Sequence, residues 1–311
     1  MAIRTFQPGD EDSQVAIYNA VAAKLPGFKP ATPDEVRRRQ RSKSFDAHWR
    51  FFALHENQPV GYIVLNRNGR VSYPWCLPGH ESWQCPLLEA VRTAARQANF
   101  KRLTVAYRGD WTEHKSFFLQ RGFRQAHEMI NFVVEVLDLP TAAVHVGLSQ
   151  RRMNPEDIPA LREMGGALFA GMSQDELKQR LFSNPWFPAE SLFVLHGRSS
   201  ETPVACAALI CESGYADPRK VDSAMPCFRL GAFGNELQDT KRIRGMFSYL
   251  AGANQNPTLI GLDLLGHVAR MIPDDLEALA AQIQSDRPER KLFEHYFRRQ
   301  GSFPVFELEL Q

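Results

Sequence analysis

The sequence has few cysteines and little net charge, and both shortages exclude classes of protein. Its five cysteines include no C-x-x-C pair and leave an odd count, which favours reduced, buried thiols over a disulfide framework. None of the nine histidines has metal-ligand spacing to a cysteine or to another histidine, so we expect no metal. A formal net charge of +2 gives no electrostatic reason to expect a nucleic-acid partner.

Long apolar runs are also missing. No stretch is long enough to cross a bilayer, and the first residues show no apolar signal core, so we expect a cytoplasmic protein without a membrane partner. The chain has 311 residues, 44% of them hydrophobic and 23% charged, which is typical of a globular protein. This length suits two domains of ordinary size.

An internal repeat organises what is present. Residues 51–55 and 60–65 predict two strands of a hairpin, and residues 192–196 and 204–211 predict a second hairpin with the same pattern. Each pair contains a histidine at the end of its first strand and a Pro-Val step at the start of its second. The similarity indicates that one structural unit occurs twice.

The ends of the two copies match as well. Phe118-Leu-Gln-Arg-Gly122 precedes a predicted strand, and so does Phe297-Arg-Arg-Gln-Gly301. We therefore predict two α/β domains, at residues 1–139 and 144–311. The second copy is longer because it carries two insertions, at residues 212–225 and 266–288.

The stretch from residue 227 to 251 has the strongest binding character. Residues 227–234 predict a strand, and a polar turn and a basic segment follow, with a helix expected from Phe247. Amides of a first helical turn, a glycine and two arginines would suit a phosphate group. A solvated basic turn with a capping glycine is the alternative.

Three further elements complete the second copy. Ser173-Gln-Asp-Glu176 is a capping box that predicts a helix. Residues 259–265 predict a buried strand, and residues 289–300 predict the last helix before a closing strand.

The predicted order is strand, two helices, hairpin, central strand, helix, strand, helix, strand. This order resembles the fold of the GCN5-related N-acetyltransferases. Arg242-Ile-Arg-Gly245-Met-Phe247 is similar to the family's Arg/Gln-x-x-Gly-x-Gly/Ala loop, although Phe247 stands where a small residue is usual. Phe118-Leu-Gln-Arg-Gly122-Phe123 is similar to its Tyr-x-x-x-Gly-Phe pattern, with phenylalanine replacing tyrosine. The resemblance implies an α/β fold with two such domains in tandem.

The resemblance also implies acetyl transfer from acetyl-CoA to an amine by direct attack, without a metal. The acceptor would be a small-molecule or peptide amine, and a homodimer is left open. Strand amides would lie beside the acyl group, at Leu230, Gly231, Ala232 and Phe233. The coenzyme diphosphate would be held by Arg242, Ile243, Arg244, Gly245, Met246 and Phe247.

Three side chains are candidates for proton transfer in the second copy. Tyr296 could protonate the departing thiolate, Glu236 could order substrate or water, and Asp263 could act as a base. The structural alternatives are a core tyrosine, a solvated turn carboxylate and a strand-end cap.

The first copy lacks these groups. Pro78-Gly79-His80 stands where an arginine-bearing loop would be expected, and Phe118 has no hydroxyl to donate. We expect this copy to have lost catalysis and to pack against the second. A Cys76–His80 nucleophile pair lacks a third group. The alternative for the whole chain is an inactive sensor that binds acyl-CoA or a protein partner.

Overall fold

The computed structural model describes residues 2–28, 30–40, 45–140, 147–183, 189–211 and 243–310. Its contacts divide the chain into two units. The first unit comprises Met1–Glu128 together with Phe303–Gln311, and the second comprises Met129–Ser302. No described helix is long and apolar enough to cross a bilayer.

The first unit begins with a strand, two helices and a hairpin. Its elements are β1 (Ala2–Thr5), α1 (Asp10–Ala22), α2 (Pro33–Gln40), β2 (Arg50–His55), β3 (Gln58–Val64), β4 (Trp75–Cys76), α3 (Gln84–Gln97), β5 (Arg102–Ala106) and α4 (Thr112–Leu119). Strand β6 (Arg124–Glu135) then runs from the first unit into the second.

The second unit repeats this order. Its elements are β7 (Leu148–Arg152), α5 (Ile158–Gly165), α6 (Gln174–Phe182), β8 (Leu192–Gly197), β9 (Pro203–Ile210), β10 (Ile243–Ala251), α7 (Pro257–Val268), β11 (Ala278–Gln284) and α8 (Arg290–Tyr296). The last strand, β12 (Arg298–Glu309), returns to the first unit.

Both predicted hairpins are confirmed. Strand β2 pairs with β3 in an antiparallel sheet of order β1-β2-β3-β4, and β8 pairs with β9 in the second unit. The β2–β3 turn has Glu56 and Asn57 at φ 48° and 64°, the left-handed pair that suits the twist of a two-residue hairpin loop. The capping box before α6 is confirmed too, since the Glu176 amide donates to Ser173 Oγ at 3.1 Å.

The sheet of the second unit has one layer of helices on each face. Its strand order is β6-β11-β10-β9-β8-β7, in which only the β10–β11 pair is parallel. Met246 and Leu250 of β10 pack with residues of α5 and α6. Phe247, Tyr249 and Ala251 pack on the opposite face with residues of α7 and α8.

Several elements of the second unit differ from the sequence prediction. Strand β11 lies within the predicted insertion at residues 266–288, and the predicted last helix, residues 289–300, ends at Tyr296, after which β12 begins. Residues 243–251 form β10, so the predicted loop and helix are wrong there: Met246 and Phe247 are buried on opposite faces, as alternation in a strand requires. Residues 259–265 lie in helix α7, so the predicted strand is wrong and Asp263 is helical. That helix is signalled by the Asn256 N-cap and by Pro257 at its first position. The predicted strand at 227–234 lies outside the described residues.

The two units do not follow the predicted boundary, because each contains a strand from a distant part of the chain. In the first unit, β5 pairs with residues 305–309 of β12, and Phe306 is only 3% exposed in that unit's core. In the second unit, β11 pairs with residues 129–135 of β6. A cut in the predicted linker therefore separates each unit from one of its own strands.

We predict that residues 1–139 and residues 144–311, produced as separate chains, do not fold, because β5 and β11 each lose a central partner and expose an unpaired edge. The matched comparison is residues 1–128 joined through a Gly/Ser linker to residues 303–311. This chain should unfold cooperatively in urea, followed by circular dichroism. Cooperative unfolding of the 1–139 fragment alone would contradict the division.

Candidate active site

The second unit contains a gap within its sheet. Strands β10 and β11 pair at Ile243, Gly245 and Met246 and then separate, whereas β10 remains paired with β9 as far as Ala251. The Gly252 amide donates to the Val204 carbonyl on β9. Because the N–H and C=O groups of successive strand residues point to opposite sides, those of every second residue of β10 point away from β9. The backbone groups of Tyr249 and Ala251 therefore face the gap. An extended ligand could form hydrogen bonds with this strand edge.

A buried ion pair closes one end of the gap. Glu289 is 1% exposed, and its Oε1 accepts the Ala251 amide at 3.2 Å. Arg287 donates to both carboxylate oxygens, at 3.0 and 2.7 Å. Arg287 also donates to the carbonyls of Met164 and Gly165 at the end of α5. The pair ties β10, the segment before α8 and helix α5 together.

Tyr249 lies in β10 beside this ion pair. The sequence pattern does not identify it, because that pattern predicts a helix there. Its hydroxyl donates to the Pro257 carbonyl at 2.9 Å, in the first turn of α7. Burial, with the nearby charge of Glu289, raises the pKa of Tyr249. A Cβ on Gly261 would collide with this hydroxyl, so glycine is required there. Alternation of buried faces across residues 246–251 is the signal that could have identified the strand.

A cavity of 270 Å³ opens beside the gap, on the face covered by α5 and α6. Ser248 and Leu250 of β10 line it, with Gln282 and Gln284 of β11. Most of the other described lining side chains are apolar, among them Met153, Leu161, Phe169, Met172, Leu177 and Leu181. Such a concave, largely apolar space with few polar groups is typical of a small-molecule site.

A short loop, residues 252–256, connects the end of β10 to α7. Asn256 caps the helix, and its Oδ1 accepts the amides of Thr258 at 3.0 Å and Leu259 at 3.2 Å. The N-terminus of α7 carries the positive end of the helix dipole. No lysine, arginine or histidine occurs between residues 247 and 261.

The predicted catalytic residues are not brought together at the cavity. Asp263 lies in α7, which packs on the opposite face of the sheet, and Tyr296 ends α8, partly buried against the same core. Neither lines the cavity. Glu236 lies outside the described residues, as do Leu230, Gly231, Ala232, Phe233 and Arg242.

The predicted diphosphate residues that are described lie in the β10 ladder. A Cβ on Gly245 would lie 2.7 Å from Leu279 Cδ2, so this glycine packs against the core and not beside an open loop. Met246 and Phe247 are buried. Among the described residues no group of three histidine, cysteine, aspartate or glutamate side chains is arranged to hold a metal ion.

The corresponding region of the first unit is filled with aromatic side chains. The imidazole of His114 lies among the rings of Tyr73, Trp75, Tyr107 and Trp111, with centroid distances from 4.0 to 5.3 Å. Burial, with the charge of Lys24, lowers the pKa of His114 to about 4.

The Cys76–His80 pair has no support as a nucleophile. Burial raises the pKa of the Cys76 thiol to about 12, so the reactive thiolate is disfavoured. The His80 ring lies beside His55, at a centroid distance of 5.1 Å.

Substitution Arg287→Met should lower the free energy of unfolding by about 3 kcal/mol, because the Glu289 carboxylate stays buried without its partner. Arg287→Met combined with Glu289→Gln should recover part of this loss, since glutamine keeps an acceptor for the Ala251 amide without the charge. The control is Arg152→Met, in an exposed pair with Glu190, which should cost less than about 1 kcal/mol. Equal effects of the two arginine substitutions in urea unfolding would contradict the assignment.

The first unit should lose stability in acid through His114. Because its pKa is about 4 when folded and about 6.5 when unfolded, the neutral form stabilises the fold above pH 6.5, and about 3 kcal/mol is lost as the pH falls to 4. Urea unfolding at pH 7 and pH 4, followed by tryptophan fluorescence, should show this loss. It should disappear in His114→Phe and persist in His48→Phe, which changes an exposed histidine. An unchanged loss in His114→Phe would refute the assignment.

Comparisons of the sequence with protein-family models give no match, and neither do comparisons with curated proteins. Solved structures do match in fold. A GCN5-related N-acetyltransferase from Sphaerobacter thermophilus has a TM-score of 0.63 at 14% identity, covering 100% of this chain and 96% of that one. A GCN5-related N-acetyltransferase from Kribbella flavida has a TM-score of 0.53 at 11% identity, covering 99% and 72%.

A tandem protein of the same fold matches over its whole length. The tandem GNAT protein from the clavulanic acid biosynthesis pathway has a TM-score of 0.56 at 12% identity, covering 100% of this chain and 98% of that one. At such identities the similarity is one of fold. The predicted α/β architecture is thus confirmed, and the chain has the tandem fold of the GCN5-related N-acetyltransferases.

Proposed function

We propose that the protein is an acyl-CoA-dependent N-acyltransferase whose reaction takes place in the second unit. The observation that carries this proposal is the separation of β10 from β11 beside a cavity, in a fold shared with N-acetyltransferases. A thioester and an amine could approach each other there from the two sides of the sheet. The geometry supports transfer of an acyl group between them.

The residues present fit the thioester arm of coenzyme A. The outward amide and carbonyl of Tyr249 can hold an extended amide-bearing chain at the gap, whereas the Ala251 amide is already bonded to Glu289. The diphosphate would lie at residues 252–256 and the N-terminus of α7, where the helix dipole favours an anion. Asn256 already occupies two amides there. Arg244 lies at the opposite end of β10, eight residues before Gly252 and so about 26 Å away along the strand, which removes it as the source of positive charge at this loop.

The chemistry needs a neutral amine. Its nitrogen attacks the thioester carbon, a C–N bond forms, the C–S bond breaks, and the amine's proton leaves while the thiolate gains one. A backbone amide at the gap would donate to the oxygen that gains negative charge. Tyr296, Glu236 and Asp263 remain proposals for the proton transfers.

The acceptor would occupy the cavity. A volume of 270 Å³ lies just below the usual range of ligand pockets, so it suits a small molecule or one end of a larger one. A peptide amine would therefore enter through its terminal group or a single side chain.

Binding without turnover is the second candidate. The lining of the cavity favours this candidate. The single carboxylate among its described residues, Glu289, already forms an ion pair with Arg287 and so is not available as a base. Release of free coenzyme A thiol from acetyl-CoA in the presence of an amine panel separates the two. Saturable binding with no thiol release would favour the sensor.

For the first unit we propose a structural role without catalysis. Its aromatic cluster occupies the space that a coenzyme would need, and its loop directs the Gly79 amide to Glu81 Oε1 at 3.1 Å. A carboxylate in that position repels a diphosphate.

The location of the coenzyme can be tested by calorimetric titration of acetyl-CoA at low ionic strength. Asn256→Asp keeps an equally good N-cap and adds a negative charge where the diphosphate would lie, so affinity should fall about tenfold. The matched control is Ser82→Asp, an exposed residue just before α3 of the first unit, which should leave affinity unchanged.

One binding site that responds only to Asn256→Asp is the expected result. A response to Ser82→Asp alone, or a second site, would mean that the first unit binds the coenzyme. Absence of binding would remove the acyltransferase proposal.

A further inference from the structure

The acceptor's chemical class can be inferred from the cavity of the second unit, and the inference rests on the proposed function. Helices α5 and α6 and the turn between them supply a continuous apolar wall. At about 25 cal/mol per Å² of buried apolar area, contact with such a wall favours a ligand with a hydrophobic body. A polar acceptor would lose its hydration there without replacement.

Charge gives a second restriction. The charged side chains among the described lining residues are Arg180, which is exposed, and the mutually neutralised Arg287 and Glu289. An ammonium ion entering the buried part would find no carboxylate outside that pair among the lining residues that the structure describes, and burying an unpaired charge is costly. The cavity therefore favours the neutral form of an amine.

Polar groups at the gap supply a position for the amine nitrogen. Gln282 Nε2 donates to Asn131 Oδ1 at 2.9 Å, which leaves the Gln282 carbonyl oxygen as an acceptor on the cavity side. Ser248 lies on the neighbouring strand and the same face, and its hydroxyl can donate or accept. Together they match a nitrogen that bears hydrogens and a lone pair.

We propose that the acceptor is a hydrophobic primary amine, bound in its neutral form. Its apolar body lies against α5 and α6, and its nitrogen lies at Ser248 and Gln282, beside the gap. Amino acids, polyamines and amino sugars are excluded, because each brings further charge or polar groups into the apolar wall.

Binding to the coenzyme-free full-length protein tests this proposal without turnover. The probes are 2-phenylethylamine and its neutral analogue 2-phenylethanol, titrated calorimetrically at pH 7, 8 and 9. An alkyl ammonium group has a pKa near that of lysine, about 10.4, so the apparent affinity for the amine should rise about tenfold per pH unit. The affinity for the alcohol should stay constant.

Titration of the cavity itself would not imitate this result. The Cys206 thiol lines the cavity, and burial raises its pKa to about 12; burial also raises the pKa of Tyr249. Neither group ionises between pH 7 and 9, and the constant affinity of the alcohol verifies this.

The substitution Ala208→Phe tests the position of the bound amine. Ala208 lies opposite Ser248 in the β9–β10 ladder and lines the cavity, so a phenyl ring there should abolish binding of both probes. The matched control is Ala98→Phe, at an exposed alanine of the first unit, which should bind both probes normally. Retained binding in Ala208→Phe would overturn the proposed position.

The outcomes separate this inference from the proposed function. Probe binding without acetyl transfer would keep the cavity as a site for a neutral hydrophobic amine and remove the proposed function. Acetylation of spermidine or glucosamine, with no binding or acetylation of 2-phenylethylamine, would overturn the inference and leave the function. Tighter binding of octanoyl-CoA than of acetyl-CoA, with loss of probe binding in the octanoyl complex, would assign the cavity to the acyl chain and overturn the inference.

Discussion

The early end of the parallel pairing between β10 and β11 is the constraint on which the second unit depends. Backbone amides and carbonyls inside a sheet must find partners, so a strand that leaves its neighbour has to be satisfied in another way. Glu289 provides this for Ala251, and Arg287 keeps the carboxylate in place. The open strand edge at Tyr249, the cavity beside it and the start of α7 all follow from this separation.

The two units treat the same region differently. In the second unit, small side chains on the strands, such as those of Ala208 and Ser248, leave the cavity open. In the first, Tyr73, Trp75, Trp111 and His114 occupy the centre with ring contacts, which adds apolar burial. The two units thus differ in the size of the side chains that lie beside their central strands.

Local patterns identified the hairpins and the α6 cap, because turn geometry and capping depend on neighbouring residues. Local patterns did not identify α7. This helix is buried on almost every side, so its apolar residues do not recur on one face only, as they do in an amphipathic helix. Local patterns also failed for β10, where the glycine and arginines suggested a loop. The cavity, the Arg287–Glu289 pair and the exchanged strands depend on contacts between distant residues, and a single sequence carries no local signal for these.

The return of β12 to the first unit determines when that unit can form during synthesis. Its strand β5 must wait for residues 305–309, which leave the ribosome only after the whole second unit has been made. At 5–20 residues per second, the intervening second unit takes roughly ten to thirty seconds to translate. The first unit therefore stays incomplete until the second unit has been translated, and loss of residues 303–311 would leave β5 without its partner while every element of the second unit is still present.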